Sequence, residues 1–256
     1  MNQAQKRLFL IQSLLDESPR YQEIEIPAEE TEQKRLLRSL MNVRKPSGIG
    51  ADFLAVQDEY LQETTVEKGV TDLADLTPIR PDIYLWRGDI TALRCGAIVN
   101  AANSGMTGCY QPCHNCIDNC IHTYAGVQLR LRCDELMRAQ GHAEPTGQAK
   151  ITPAYNLPCD YVLHTVGPIV EGRLTRKHEE QLTSCYRSCL ALADENNIKS
   201  VAFCCISTGV FMFPNERAAE IAVQTVEEYK QQTHSEIKVI FNVFKELDEQ
   251  IYQNLL

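Results

Sequence analysis

The apolar positions along the chain change their period near residue 80. Before that point they recur at helical spacing, as in Leu8, Ile11 and Leu15, and again in Leu36, Leu37, Leu40 and Met41. The pattern predicts a first helix closed by Ser18-Pro19 and a second over about Ala28–Val43, ended by Lys45-Pro46-Ser47-Gly48. A third is predicted over roughly Ala51–Leu61. Since this part carries no chemical motif, residues 1–75 are expected to form a helical extension packed on a main domain of residues 76–256.

From Asp82 onward, short apolar runs predict strands at Asp82–Trp86, Ala97–Asn100, Tyr161–Thr165, Ser200–Cys205 and Ile237–Val243. Helical patterns lie between them at Cys116–Ala125, Val127–Gln140, Lys177–Asn196 and Pro214–Gln232. This alternation predicts an α/β chain: a three-layer α/β/α domain with a mixed, largely parallel central sheet. Ligands of such sheets bind in the loops at the carboxyl ends of the strands.

Composition narrows the partners. Apolar residues are 44% of the 256, enough for a sizeable core, and the charges are interspersed rather than blocked. No apolar run approaches the ~20 residues of a membrane span, and the N-terminal stretch reads as an amphipathic helix rather than a signal peptide. A net charge of -9 without a basic run argues against extended nucleic acid and anionic membrane. A small anion can still be held by backbone N–H groups, which needs no net positive charge. Eleven cysteines without a secretory leader point to a reduced, cytoplasmic setting. Cys185, Cys189, Cys204 and Cys205 sit in apolar patterns and read as small core residues. Cys109, Cys113, Cys116 and Cys120 instead gather around Pro112 and His114 in a turn-rich stretch.

Four strings occur in order: Arg87-Gly88-Asp89-Ile90-Thr91, Val99-Asn100-Ala101-Ala102-Asn103-Ser104, His164-Thr165-Val166-Gly167-Pro168, and Ser207-Thr208-Gly209-Val210-Phe211-Met212-Phe213-Pro214. With Gly147-Gln148-Ala149-Lys150 they resemble the hydrolase-type branch of the macrodomain family, over about Asp82 to the C-terminus. Most such hydrolases carry a glycine run before an acidic residue. This chain has a C-x4-H-x-C loop there and so resembles the zinc-containing macrodomains of bacteria, which are often encoded beside a sirtuin-type ADP-ribosyltransferase.

Thiolates and imidazole suit zinc, and close spacing lets one loop fold around a single ion. Cys109, His114 and Cys116 would bind one Zn2+ per chain and leave a fourth tetrahedral position for water or substrate. Cys113 could replace one of them or close the site, and His122 is a further candidate. The resemblance implies that Asp89 accepts a hydrogen bond from the adenine amino group while the Ile90 backbone places the ring. It also implies that Asn103 faces the distal ribose. The loop of Ser207, Thr208, Gly209, Val210 and Phe211 should cradle the diphosphate through its amides. Phe244, after the last strand, is a candidate to pack on the adenine or its ribose. Asp118 opens a helix beyond the cysteine loop; the helix N-terminus favours its ionised form, as befits a base or a water-orienting group.

The expected activity is zinc-dependent removal of mono-ADP-ribose from acidic side chains of a modified protein, with Asp118 and Asn103 as catalytic residues. The expected partners are ADP-ribose, the ADP-ribosylated protein and a sirtuin-type transferase that adds the group. Two other functions fit the same pocket: a reader that binds without turnover, and a deacylase of O-acyl-ADP-ribose.

Overall fold

The computed structural model describes residues 1–21 and 23–256. It begins with three helices, α1 (Gln3–Asp16), α2 (Glu30–Val43) and α3 (Ala51–Lys68). The side chain of Asn2 accepts from the Gln5 amide and that of Gln5 from Asn2, which satisfies two otherwise orphaned donors at the start of α1. Gly69, at φ +93, turns the chain out of α3. Leu10, Ile11, Leu14, Leu37, Leu40, Phe53 and Leu61 meet in a core of their own, to which Val127 contributes from the layer beneath. Each such side chain stabilises the fold by roughly 1.5–3 kcal/mol.

The rest of the chain runs β1 (Thr71–Asp72), β2 (Ile83–Arg87), β3 (Leu93–Arg94), β4 (Ala97–Ala102), α4 (Ile117–Ala125), α5 (Val127–Gln140), β5 (Ala149–Pro153), β6 (Tyr161–Val166), α6 (Arg176–Glu195), β7 (Ser200–Phe203), α7 (Asn215–Thr233), β8 (Lys238–Val243) and α8 (Glu246–Leu255). Six strands form one sheet in the order β2-β8-β7-β4-β6-β5. All neighbours are parallel except β5, which pairs antiparallel with β6 from Ala149↔Thr165 to Pro153↔Tyr161. The interior strands are apolar on both faces, with Ile98, Val99, Val162, Leu163, Val201, Ala202, Val239 and Ile240 fully buried, as a sheet covered by helices on both sides requires. Helices α6, α7 and α8 pack side by side, while α4 and α5 pack together and carry the N-terminal helices. This is the expected three-layer α/β/α arrangement.

The five expected strands and four expected helices of the main domain are all present. Three features were not anticipated. The edge strand β5 mixes polar and apolar residues and ends in Pro153, α8 follows Phe244, and α3 runs seven residues past Leu61. A short parallel pair, β1 with β3, ties the end of α3 to the segment after Asp89 through Thr71↔Leu93 and Asp72↔Arg94. Cys185, Cys189 and Cys204 are core residues as expected, and Cys205 packs against that core. No helix among the described residues is long and apolar enough to cross a membrane.

Candidate active site

Strands β2, β4, β6, β7 and β8 run parallel, so the loops that follow them emerge at one edge of the sheet. Those loops hold Asp89, Asn103, Gly167, Ser207–Phe211 and Phe244. Helix α4 starts at the same edge, because the chain leaving β4 folds back through Gly108–Cys116 before entering it. At its start Cys116 serves as N-cap, its sulfur accepting from the Asn119 amide at 3.4 Å.

That loop brings Cys109, His114 and Cys116 together, with their sulfur and ring-nitrogen atoms all within 4.8 Å of one another. Cys109 Sγ lies 3.6 Å from His114 Nδ1. Bonds of ~2.3 Å to sulfur and ~2.0 Å to nitrogen at a tetrahedral angle would set such atoms about 3.6 Å apart, so the donor set fits zinc. Burial pushes the Cys116 thiol up to about 12, with the neighbouring Cys109 adding to the effect. A divalent cation would reverse that preference by stabilising the thiolate. Cys113 turns away. Its sulfur is 3.1 Å from Ser39 Oγ and 3.4 Å from the Arg35 carbonyl, both on α2.

The N-terminal helices hold this loop from behind. Arg38 donates to the His114 carbonyl at 2.8 Å and to Asn119 Oδ1 at 3.0 Å, and Asn42 Oδ1 accepts from the Cys113 amide at 2.9 Å. Asn119 Nδ2 in turn donates to the carbonyls of Gln111 and Cys109. The buried Arg130 of α5 bridges the two bodies, donating to the carbonyls of Met41, Asn42 and Arg44 and, at 3.4 Å, to that of Cys109. A guanidinium is suited to this, since its five donors fan out in one plane.

Asp118 sits two residues beyond Cys116 and is buried. Its Oδ1 accepts from Asn100 Nδ2 at 2.8 Å and its Oδ2 from Asn103 Nδ2 at 3.2 Å. The sequence suggests a carboxylate that the helix N-terminus keeps ionised at neutral pH; in the structure burial works against the charge. Burial raises Asp118 to about 6, against the opposing pull of Asn100, Arg130 and Asn103. Desolvation of the charged form outweighs the helix dipole here. Asn103 also closes an Asx turn, its Oδ1 accepting from the Gly105 amide at 2.9 Å, so only its amide nitrogen faces Asp118.

Two neutral histidines lie beneath. His164 takes the second proton of Asn100 Nδ2 on its Nδ1 at 3.1 Å, which leaves Nε2–H to donate to Thr152 Oγ1 at 2.9 Å. Burial depresses it to about 3. His122 packs under Gly108, where an added Cβ would stand 2.7 Å from its ring, and burial likewise keeps it neutral. Its Nε2 is 3.5 Å from Asp118 Oδ1. His122 stands apart from the Cys109–His114–Cys116 group and joins Cys133 and His164 instead.

At the far end of the edge, Asp89 caps the short turn Ile90–Ala92 by accepting from the Thr91 amide at 2.9 Å. Ile90 is buried, which anchors the backbone beside it. In the loop after β7, Ser207 adopts φ +65 and its hydroxyl is buried without a partner among the described residues. Gly209 is open, with nothing within 4 Å of where a Cβ would be. The loop is braced by Val170 N to Phe211 O at 2.9 Å and Phe213 N to Ser207 O at 3.0 Å, with Pro214 capping α7. Val210 is exposed, and so is Phe244, at 76%; the latter is an edge aromatic and not a core residue. Asn100, His164, Arg38, Lys68 and Arg130 are the site neighbours that sequence reasoning did not single out. Asn100 and His164 lay inside the quoted strings, whereas nothing in the sequence marks the three cations.

The loops at the carboxyl ends of the parallel strands, with Asp89 toward one end and Asp118 toward the other, form the edge at which α/β sheets bind their ligands. Comparison with known proteins makes the class specific. The family model described as Macro domain matches residues 99–222. A protein-ADP-ribose hydrolase of Treponema medium is 60% identical over all of both chains. One of Staphylococcus aureus (strain MSSA476) is 53% identical over 85% of this chain and 82% of its own. The Trypanosoma brucei macrodomain solved in complex with ADP-ribose superposes with a TM-score of 0.65 at 29% identity, over 85% of this chain and 94% of that one. The chain belongs to the macrodomain family.

Proposed function

We propose that this chain is a zinc-dependent protein ADP-ribose hydrolase that removes mono-ADP-ribose from acidic side chains. The observation that carries the reading is the position of Asp118, buried, held by Asn100 and Asn103, and two residues from the Cys109–His114–Cys116 loop. The names of the Treponema and Staphylococcus relatives and the ligand of the Trypanosoma structure support it.

In this reading residues 76–256 carry the pocket and residues 1–75 back its loop. Asp89 accepts the adenine amino proton, the Ile90 backbone sets the ring plane and Phe244 covers it. Ser207, Thr208, Gly209, Val210 and Phe211 hold the diphosphate. Asn103 and Asp118 face the distal ribose. Cys109, His114 and Cys116 would hold one zinc ion, which when bound supplies Lewis acidity at the distal end of the pocket. Asp118, ionised above about 6, orients and deprotonates the attacking water.

The preference for acidic side chains follows from the leaving group. Hydrolysis adds one water across the bond between ribose C1″ and the side-chain oxygen. A departing carboxylate is stable as an anion and needs no proton donor, whereas a departing alcohol or guanidine does. The histidines nearest Asp118 are buried and neutral, so they are poor donors. The transferase that adds the modification is taken to be of the sirtuin type, on the resemblance of the C-x4-H-x-C loop alone.

The test is release of ADP-ribose from an aspartate- or glutamate-modified protein, with zinc measured on the same samples of the native chain, Cys116→Ser and Asp118→Asn. Turnover with about one zinc per chain, lost in both variants while ADP-ribose binding persists, is the expected result. Tight binding without turnover in the native chain would make it a reader instead. Faster turnover of O-acyl-ADP-ribose than of modified protein would make it a small-molecule deacylase.

A further inference from the structure

Lys68 is the last residue of α3, in the part of the chain to which no chemistry has been assigned. Its ammonium reaches across to the main domain and makes three contacts there. It pairs with Asp89 Oδ2, donates to Thr91 Oγ1 at 3.2 Å, and stands 4.1 Å from the centre of the Tyr124 ring on α4. A carboxylate, a hydroxyl and an aromatic face thus hold the ammonium on the main domain.

A carboxylate oxygen accepts about two hydrogen bonds. Oδ1 already takes the Thr91 amide at 2.9 Å and the Thr91 hydroxyl at 2.6 Å. Oδ2 takes Lys68 and keeps one place free, on a side chain that is one-third exposed. The pairing of β1 with β3 fixes the register between the end of α3 and the turn that Asp89 caps. The direction of the remaining acceptor is therefore set from both sides, by Thr91 on its own turn and by Lys68 from the extension.

We infer that Lys68 is a positioning residue for purine recognition: through it the N-terminal helices aim the one free acceptor of Asp89 at the amino group of the base. The inference rests on the adenine reading of Asp89 proposed above. It gives the extension a part in ligand selection as well as in backing the loop. Because Lys68 is committed to Asp89 and Thr91, its role is to hold Asp89 rather than to contact the base itself. Selection between amino and oxo purines thus depends on Asp89 being held ionised and in place.

Burial works against the charge on Asp89, but the bonds from Lys68 and Thr91 prevail and hold it below the usual carboxylate range. The titratable groups facing this pair are the Cys120 thiol and the Tyr124 phenol of α4. Removing the cation should therefore let Asp89 protonate at higher pH and lose its acceptor there.

The experiment is calorimetric titration of ADP-ribose and of its hypoxanthine counterpart into the full chain, the variants Lys68→Met, Lys68→Arg and Asp89→Ala, and repetition of the ADP-ribose series down to acid pH. Lys68→Met should weaken ADP-ribose by about five- to tenfold, as for one lost charge-assisted contact, and leave the hypoxanthine ligand within about twofold. The acid fall-off of ADP-ribose affinity should move to higher pH, and Lys68→Arg should restore most of both effects. Equal losses for the two ligands, or none for either in a folded Lys68→Met, would overturn the inference while leaving the adenine reading standing. If Asp89→Ala leaves both the affinity and the preference unchanged, the adenine reading itself fails and takes the role of Lys68 with it.

Discussion

Asn100 Nδ2 stands 2.8 Å from Asp118 Oδ1, joining an interior strand of the sheet to the first turn of α4. Both residues are buried, and the second proton of the same amide is taken by His164 Nδ1. Asn100 thus orients the carboxylate from a side chain that itself has little freedom to rotate. With burial raising Asp118 to about 6, the rate of hydrolysis should climb through a single acid limb near that value and level off above it. A pH–rate profile of kcat/KM checks this. A limb below about 4 would mean that a freely solvated carboxylate does the work.

The same burial has a cost to stability, and its sign can be worked out. Because the folded pKa lies above that of a free aspartate, the native state binds more protons than the unfolded one between about 4 and 6. Stability associated with Asp118 therefore falls as pH rises through that window and stays low above it. Asp118→Asn should unfold later than the native chain at pH 7.5, by roughly 1–2 kcal/mol once its amide's poorer fit to Asn103 is allowed for. That gap should close as pH falls toward 4, while turnover is lost throughout. Denaturant melts at several pH values read it out.

The loop geometry separates the cysteines. Cys116→Ser keeps a side-chain oxygen to cap α4 but loses a thiolate, so zinc content should drop sharply with little change in helix content. If the proposed zinc site forms, Cys113→Ser should hold as much zinc as the native chain, because the Cys113 sulfur faces Ser39 and Arg35 on α2. Metal analysis after a chelator challenge distinguishes them. Loss of zinc from Cys113→Ser would move that residue into the ligand set.

Gly167 follows β6 and lies against the loop after β7. A Cβ there would fall on Ser207 Oγ and 2.8 Å from Ile206 Cγ2. The backbone of Gly167 is not in the left-handed region, so alanine itself is unstrained and the effect should be displacement of the neighbouring loop. Gly167→Ala is expected to weaken ADP-ribose roughly tenfold or more, the scale of a 1–3 kcal/mol overpacking penalty, with a smaller effect on Tm. Titration with ADP-ribose beside a thermal melt checks the ratio.

The parallel strands were readable because burial on both faces leaves continuous apolar runs such as Ala97-Ile98-Val99. β5 was not, since an edge strand with Lys150 and Thr152 alternates without a clear apolar face. The far end of α3 is not legible in the sequence for want of punctuation. Gln62 to Thr65 is polar, the pattern fades there, and the real stop is Gly69. Lys68, which reaches Asp89, lies in the stretch that was missed. The site residues on the family-like strings are legible because their chemistry is local in sequence. Arg38, Lys68 and Arg130 act across long sequence separations, and a lone cation on a helix looks like a solvated face until its partner is seen.

The clasp that Arg38, Ser39 and Asn42 place on the cysteine loop also sets an order of events. During synthesis the helices bearing these residues emerge first, and the loop they hold, through the Cys113 thiol and the backbone of Cys113 and His114, appears some seventy residues later. The loop cannot adopt its final shape until the two bodies have docked. If the proposed zinc site forms, its three ligands would be brought together only after the N-terminal helices have docked, and a chain stalled before that step would leave Cys109 and Cys116 open to oxidants or other metals.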